Sequence, residues 1–362
     1  MLEKKRIFLF IDGLVGGGAQ RQLVYLARGL KERGYTVRCF TIFEEGKWSF
    51  YRPFMDNNGI EHICDTKAQN KIRRLYRLWK AIKEFKPDVV IAYGSLQSTY
   101  AAICRILGHF TLISSDRNTT QVMDKYEQLK FFFYRFADYI VPNSHSQGAF
   151  ISNYSKHLSK KVRVITNLVD VERFRPQPEM KLNDVVPHVI SVGRYSSQKN
   201  YLGYIDAVRI LKDKNVRVHF DWYGNEYADG YSVKMKEKIT EYGLEDIITL
   251  HVACQDIENK YSECDAFCLP SFYEGFPNVL CEAMACGLPV VCSNVCDNPY
   301  IVKEGENGYL CDPNNPMSIA EAIERVLALG KEEEKRMSRA NIDRIAEICS
   351  EKAFVSKYEA LF

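Results

Sequence analysis

At 362 residues the chain is too long for one ordinary core and short for three, so about two domains are expected. Hydrophobic residues at 46% and charged residues at 26% exclude a disordered or fibrous chain. The net charge of +3 hides an asymmetry: residues 1–180 hold 29 Lys and Arg against 17 Asp and Glu, the remainder 20 against 29. A basic half joined to an acidic half suggests two units with different partners. Twelve cysteines in so long a chain, the later ones in apolar segments without CxxC spacing, read as buried free thiols in a reducing compartment. The apolar stretch 7–11 behind Lys4, Lys5 and Arg6 is too short for a signal core, and no uncharged apolar run approaches the roughly 20 residues that span a bilayer. The expectation is a protein of the cytoplasm or of a membrane surface.

In chain order, residues 6–11 read as a buried strand, 13–18 as a glycine loop and 19–33 as an amphipathic helix carrying Leu23, Leu26, Ala27 and Leu30. Gly34 ends that helix, and residues 36–42 form the next strand. Residues 71–85 make a basic amphipathic helix, and Pro87 separates it from the strand 88–93. Strands 112–115 and 139–142 bracket an aromatic helix over 126–137, and 162–167 reads as one more strand. Residues 170–184 turn polar and carry Pro176 and Pro178, the composition of a linker. A second α/β series follows, with strands at 188–193, 217–223, 247–251, 266–270 and 289–292. Helices over 316–328, 331–348 and 351–361 close the chain. The pattern predicts an α/β fold of two doubly wound, Rossmann-like domains facing across a cleft, with ligands beyond the carboxyl ends of the strands.

Two elements carry the chemistry. Gly13 to Gln20 joins the first strand to its helix; its glycines let backbone approach a ligand, and the helix start favours an anion. It fits neither GxGxxG nor a P-loop, and a plain tight turn explains it equally well. The second element is more specific. Glu274 and Glu282 stand eight residues apart around Gly275-Phe276-Pro277, before a helix starting near Asn278. Helix-start amides suit phosphates there, and the two carboxylates suit sugar or ribose hydroxyls.

This segment resembles the Glu-x7-Glu motif of retaining nucleotide-sugar glycosyltransferases of the GT-B fold, in particular glycosyltransferase family 4 (glycosyl transferases group 1). Gly16 to Arg21, Pro142-Asn143-Ser144, the stretch 164–170 with Phe174, Ser191 to Arg194 with Gln198-Lys199-Asn200, and Asn307 to Leu310 are similar to further segments of that family. The resemblance implies a catalytic role for Arg194 and Lys199, which would offset charge on the donor pyrophosphate. Glu274 would hold the transferred sugar with Phe276 and Pro277, and Glu282 the ribose. Gly193, Asn278, Val279 and Leu280 would lie near the phosphates. Gly17 and Gly18 would approach the donor from the first domain, with Gln20 on the acceptor side. Many relatives carry a donor-contacting histidine where this chain has Asp116, Arg117 and Asn118. Asp116 and Arg117 would then replace it, with Asn118 toward the acceptor, or the first two would merely pair with each other. With no DxD triplet and no histidine array, the expectation is no metal and no cofactor.

The resemblance implies residues 1–175 as acceptor domain, 176–345 as nucleotide-sugar donor domain, and 346–362 as a helix returning to the first. The implied reaction moves a sugar, from a UDP-sugar by preference, to a lipid-linked or growing oligosaccharide acceptor in cell-surface polysaccharide or glycoconjugate synthesis. An epimerase or hydrolase of the same fold, or a non-catalytic glycan-assembly scaffold, are the alternatives. Residues 67–86 hold eight Lys or Arg against Glu84 alone, with Ile72, Leu75, Tyr76, Leu78, Trp79, Ile82 and Phe85 on one arc. A helix packed on its sheet is the simpler reading, and its outward charge still suits an anionic membrane surface on the cytoplasmic face. No nucleic-acid-binding signature accompanies the charge.

Overall fold

The computed structural model describes residues 4–43, 49–64, 70–120, 122–180, 186–226 and 230–362. Residues 67–69 of the basic stretch and 181–184 of the proposed linker lie outside the described residues. The chain forms two compact units, Met1–Leu168 with Glu351–Phe362, and Val169–Ser350.

The first unit begins β1 (Arg6–Ile11), α1 (Gly18–Glu32), β2 (Thr36–Thr41), α2 (Arg52–Asn57), β3 (Glu61–Cys64) and α3 (Lys71–Phe85). It continues β4 (Val89–Tyr93), α4 (Ser95–Leu107), β5 (Thr111–Asp116), α5 (Lys125–Tyr134), β6 (Tyr139–Pro142), α6 (His145–Tyr154) and α7 (Lys156–Ser159). The sheet is parallel in the order β3-β2-β1-β4-β5-β6. Its central strands β1, β4 and β5 are buried on both faces, as a parallel sheet requires, while edge strand β3 is partly exposed. Side-chain alternation sends Ile7, Leu9 and Ile11 into one core with Leu23, Leu26 and Leu30 of α1. Phe8 and Phe10 go into the other core, with Leu78, Ile82 and Phe85 of α3 and Phe131 of α5.

The second unit runs β7 (His188–Val192), α8 (Tyr201–Asp213), β8 (His219–Tyr223), α9 (Tyr231–Glu241), β9 (Ile248–His251), α10 (Ile257–Glu263) and β10 (Ala266–Leu269). It goes on through α11 (Asn278–Ala285), β11 (Val290–Ser293), α12 (Asn298–Ile301), β12 (Tyr309–Cys311), α13 (Pro316–Leu327) and α14 (Lys331–Ile348). The sheet order is β12-β11-β10-β7-β8-β9, again all parallel. Read from the other edge, it repeats the winding of the first unit. Each sheet therefore has a switch point, between β1 and β4 and between β7 and β10, where a crevice opens at the strand ends.

The last helix, α15 (Glu351–Glu359), belongs to the first unit. Phe354, Val355, Tyr358 and Leu361 bury into the same core as α1. At its rim Arg28 pairs with Glu351, and Arg33 pairs with Glu359 at 2.6 Å, while the Tyr35 hydroxyl donates to Glu359 at 2.8 Å.

Two expectations need correcting. Residues 162–167 form no strand: Val162 makes only an isolated bridge to Ile140, because the segment touches edge strand β6 at a few backbone groups and then turns inward to bury Ile165. The apolar arc of α3 is also narrower than the spacing suggested. Leu78, Ala81, Ile82 and Phe85 face the sheet, whereas Ile72 is 81% exposed and Tyr76 59%.

Candidate active site

In the second unit the chain leaves β7 through Gly193 and Arg194 and makes a short turn, Ser197–Lys199, before α8. Asn200 sits in the left-handed region at φ 56°. Its amide donates to the carbonyls of Pro270 at 3.1 Å and Pro313 at 2.7 Å, tying this turn to the ends of β10 and β12. Gln198 adds a second tie, donating to the Tyr273 carbonyl at 2.9 Å and accepting from the Phe272 amide. The Tyr195 hydroxyl stands 2.7 and 2.6 Å from the Trp222 and His251 carbonyls, and its one proton is donated between them. Burial pushes that phenol up, so it stays protonated and remains a donor.

These ties place Lys199 against Glu274. The ammonium lies 2.7 Å from Oε1, with the two side chains only 12% and 8% exposed. Glycine at 193 makes room for this: a Cβ there would stand 3.0 Å from the Lys199 Cε. Beyond Glu274, Phe276 and Pro277 are buried and lead into α11, whose first turn receives no side-chain cap. An uncapped helix start aims its amides and the positive end of its dipole at whatever sits before it. Asn278 and Val279 are partly exposed at that start. The Leu280 side chain is fully buried in the core, so only its backbone faces the helix start. Glu282, one turn further on, is 4% exposed. Arg194 is exposed beside Gly193. The structure thus brings Gly193, Arg194, Lys199, Glu274 and the start of α11 together at the switch point between β7 and β10.

In the first unit the loop after β1 enters α1 at Gly17, again without a side-chain cap. A Cβ at Gly17 would lie 2.5 Å from Gln20 Oε1, so Gln20 folds back over the loop only because residue 17 is glycine. Gln20 donates to Asp12 Oδ1 at 3.2 Å, and the Gly13 amide donates to the same oxygen at 2.9 Å. Gly18 opens α1 beside them. A cavity of about 350 Å³ lies here, at the carboxyl ends of β1, β4 and β5, lined by Asp12, Gln20, Arg74, Gln97, Arg117 and Asn118 among others.

Asp116 and Arg117 do not pair with each other. Asp116, the last residue of β5, is fully buried and lies 3.3 Å from Lys130 of α5, which also pairs with Glu127. Gln147 donates to Asp116 at 3.0 Å, and the Asn118 amide approaches it at 3.4 Å. Arg117 turns the other way. It donates to Ser115 Oγ at 2.7 Å, to Asn167 Oδ1 at 2.8 Å and to the Tyr358 hydroxyl, and its guanidinium covers the Tyr93 ring at 4.6 Å.

Asp12, Lys130 and Tyr358 were not singled out from the sequence. Asp12 had a usable signal, a carboxylate at the carboxyl end of the first strand. Lys130 and Tyr358 had none, since one lies in an aromatic helix and the other is 241 residues from Arg117. Among the described residues, no group of three or more His, Cys, Asp or Glu could hold a metal ion.

Known proteins sort this geometry. A profile of glycosyl transferases group 1 matches residues 173–344, and one of Glycosyltransferase Family 4 matches residues 16–173. The lipopolysaccharide core biosynthesis glycosyltransferase LpsE of Rhizobium meliloti (strain 1021) is 26% identical over 327 residues, 86% of each chain. The Escherichia coli UDP-Gal:alpha-D-GlcNAc-diphosphoundecaprenol alpha-1,3-galactosyltransferase is 26% identical over 304 residues, 77% of this chain and 74% of that one. WcaL of Escherichia coli (strain K12) is 27% identical over 257 residues, and there the match spans 61% of the relative's length. Among solved structures, Anabaena Alr3699/HepE in complex with UDP-glucose superposes with a TM-score of 0.85 over 99% of both chains, at 18% identity. Two profiles that meet at residue 173, over two parallel sheets of one winding order, establish that the chain belongs to the family 4, group 1 glycosyltransferases and has the GT-B fold.

Proposed function

We propose that the protein is a retaining, metal-independent glycosyltransferase that moves a sugar from a UDP-sugar to a lipid-linked or growing glycan acceptor in cell-surface polysaccharide or glycoconjugate synthesis. The observation that carries this reading is the Lys199–Glu274 pair beside the uncapped start of α11. Lys199 and Arg194 offset charge as the diphosphate leaves, and the α11 amides hold its oxygens. Glu274 keeps Oε2 for hydroxyls of the transferred sugar while Oε1 faces Lys199, and Glu282 accepts from the ribose. Gly17 and Gly18 let the α1 loop approach the donor, and Gln20, Asn118 and Asp12 orient the accepting hydroxyl. Asp116 acts through its neighbours: buried against Lys130, it fixes the backbone that presents Arg117 and Asn118. UDP-glucose in a structure of the same fold and a UDP-galactose donor in a relative's name support uracil as the base.

Residues 1–175 would form the acceptor domain, 176–345 the donor domain and 346–362 the returning helix. The acceptor unit would dock on an anionic bilayer at the cytoplasmic face through α3, where exposed Ile72 and Tyr76 stand among exposed Lys71, Arg73, Arg77 and Lys80. No helix among the described residues is long and apolar enough to cross a membrane. The activity is tested by thermal-shift screening of nucleotide sugars, then transfer from the best donor to lipid-linked acceptors. Epimerised sugar, or fast donor hydrolysis without acceptor, would replace this reading with the epimerase or hydrolase. Docking is tested by vesicle sedimentation: binding indifferent to anionic lipid and to salt refutes it and leaves the enzyme reading intact.

A further inference from the structure

The Arg117 guanidinium is held rigidly by groups that do nothing to neutralise it. Its partners are a hydroxyl of Ser115, the amide oxygen of Asn167, the hydroxyl of Tyr358 and the ring of Tyr93. Those partners are themselves fixed. Tyr358 is fully buried on α15; its hydroxyl accepts from the Tyr93 hydroxyl at 3.2 Å and lies 3.3 Å from Ser115 Oγ. Burial pushes the Tyr93 phenol well up, so it stays a neutral donor. A guanidinium has five N–H groups and these bonds use three, leaving two. Arg117 also lines the cavity of about 350 Å³, with Arg74 in the same lining and Asp12 as its acidic member. Asp12 accepts from Gln20 and from the Gly13 amide, and the other nearby carboxylate, Asp116, is committed to Lys130. A part-buried cation surrounded by neutral acceptors is costly unless an anion completes it, and a guanidinium fork matches phosphate or carboxylate oxygens.

We propose that this cavity is an acceptor subsite for an anionic sugar, in which Arg117 binds a phosphate or carboxylate oxygen of the acceptor and Tyr358 positions Arg117 from the C-terminal helix. The inference rests on the glycosyl-transfer reading and adds the charge of the acceptor to it. It separates two sources of oxyanion, the acceptor's own group and the donor's diphosphate, because only the first should bind when UDP already occupies the protein.

The test titrates the full-length protein, saturated with UDP, with glucose, glucose 1-phosphate and glucuronic acid, followed by ligand-observed NMR. At least one of the two anions should bind about tenfold or more tightly than glucose, the scale of one charge-assisted contact. Arg117→Gln should reduce that preference to about twofold or less, and Tyr358→Phe should weaken it severalfold, with UDP affinity unchanged in both. Arg117→Lys keeps the charge without the fork and should fall between. Equal binding of all three sugars overturns the proposal, as does a preference that survives Arg117→Gln. A fall in UDP affinity in Arg117→Gln would assign the residue to the donor instead and overturn it too. Failure of the unaltered protein to bind UDP would remove the donor reading itself, a separate result.

Discussion

The Lys199–Glu274 pair offers a test in which structure and catalysis give opposite answers. Removing one partner of a buried ion pair costs about 3–5 kcal/mol, because the other charge is stranded. The residual exposure of 12% and 8% places this pair toward the lower end, about 3 kcal/mol. For a domain of this size that corresponds to a fall of about 6–12 °C in the melting of the second unit for Lys199→Met or Glu274→Gln. The double variant strands no charge and should recover most of that loss. Turnover should behave differently. On the proposed function each single change removes a donor-binding group and should lower transfer at least about 100-fold, roughly 2.7 kcal/mol of transition-state stabilisation. The double variant should regain no activity while it regains stability. Thermal melts and transfer rates on the same four proteins decide the matter. A double variant within about tenfold of the unaltered turnover would make the pair a structural strut and refute the argument, and so would single variants of near-normal activity.

Three further outcomes are expected. Lys130→Met leaves Asp116 and Glu127 facing each other's charge in a buried site, and should destabilise the first unit by about 3–5 kcal/mol in urea melts; a change below about 1 kcal/mol would deny the network its role. Gly224→Ala would bring a Cβ to 2.0 Å from the Gly193 carbonyl oxygen, so the backbone under Lys199 must move; UDP affinity should fall at least about tenfold, and unchanged affinity would separate that backbone from the donor site. Glu359 is held below its ordinary 4.5, chiefly by the hydrogen bond from Tyr35 and further by Arg33, with burial opposing. Its contribution to anchoring α15 is thus complete above about pH 4.5 and lost as pH falls through the lowered value, so Glu359→Gln should flatten the melting profile across pH 3–5 and leave its shape above pH 6 unchanged.

The charge split and the strand pattern made the two-unit architecture legible, and α3 was legible to the residue, because Asn70 caps it and Pro87 follows it. Helix α4 was missed: it starts directly after Gly94, at φ 106°, with no capping side chain to announce it. Edge strand β12 (Tyr309–Cys311) is likewise absent from the strand pattern, being too short to show alternation. The Lys199–Glu274 cluster could be read because its members lie in two local segments, each following one strand of the switch point. The surroundings of Asp116 and Arg117 could not, although one physical clue was present. Consecutive residues at a strand end point to opposite faces, so the two could not pair, and each had to find a partner in a different helical layer. Which partners, Lys130 and Tyr358, depended on contacts far along the chain.

The return of α15 to the first unit has a consequence for how the chain is made. Tyr358 contacts Ser115 across a separation of 243 residues, and Phe354, Val355 and Leu361 complete the core that Leu23 and Leu26 begin. A ribosome delivering this chain at about 5–20 residues per second releases the second unit before the first unit can close its own core. For that interval, on the order of ten to forty seconds, the apolar side of the first sheet lacks its last helix. Chaperone demand should therefore fall on that interval, and a chain truncated before Glu351 would strand the unit that was made first.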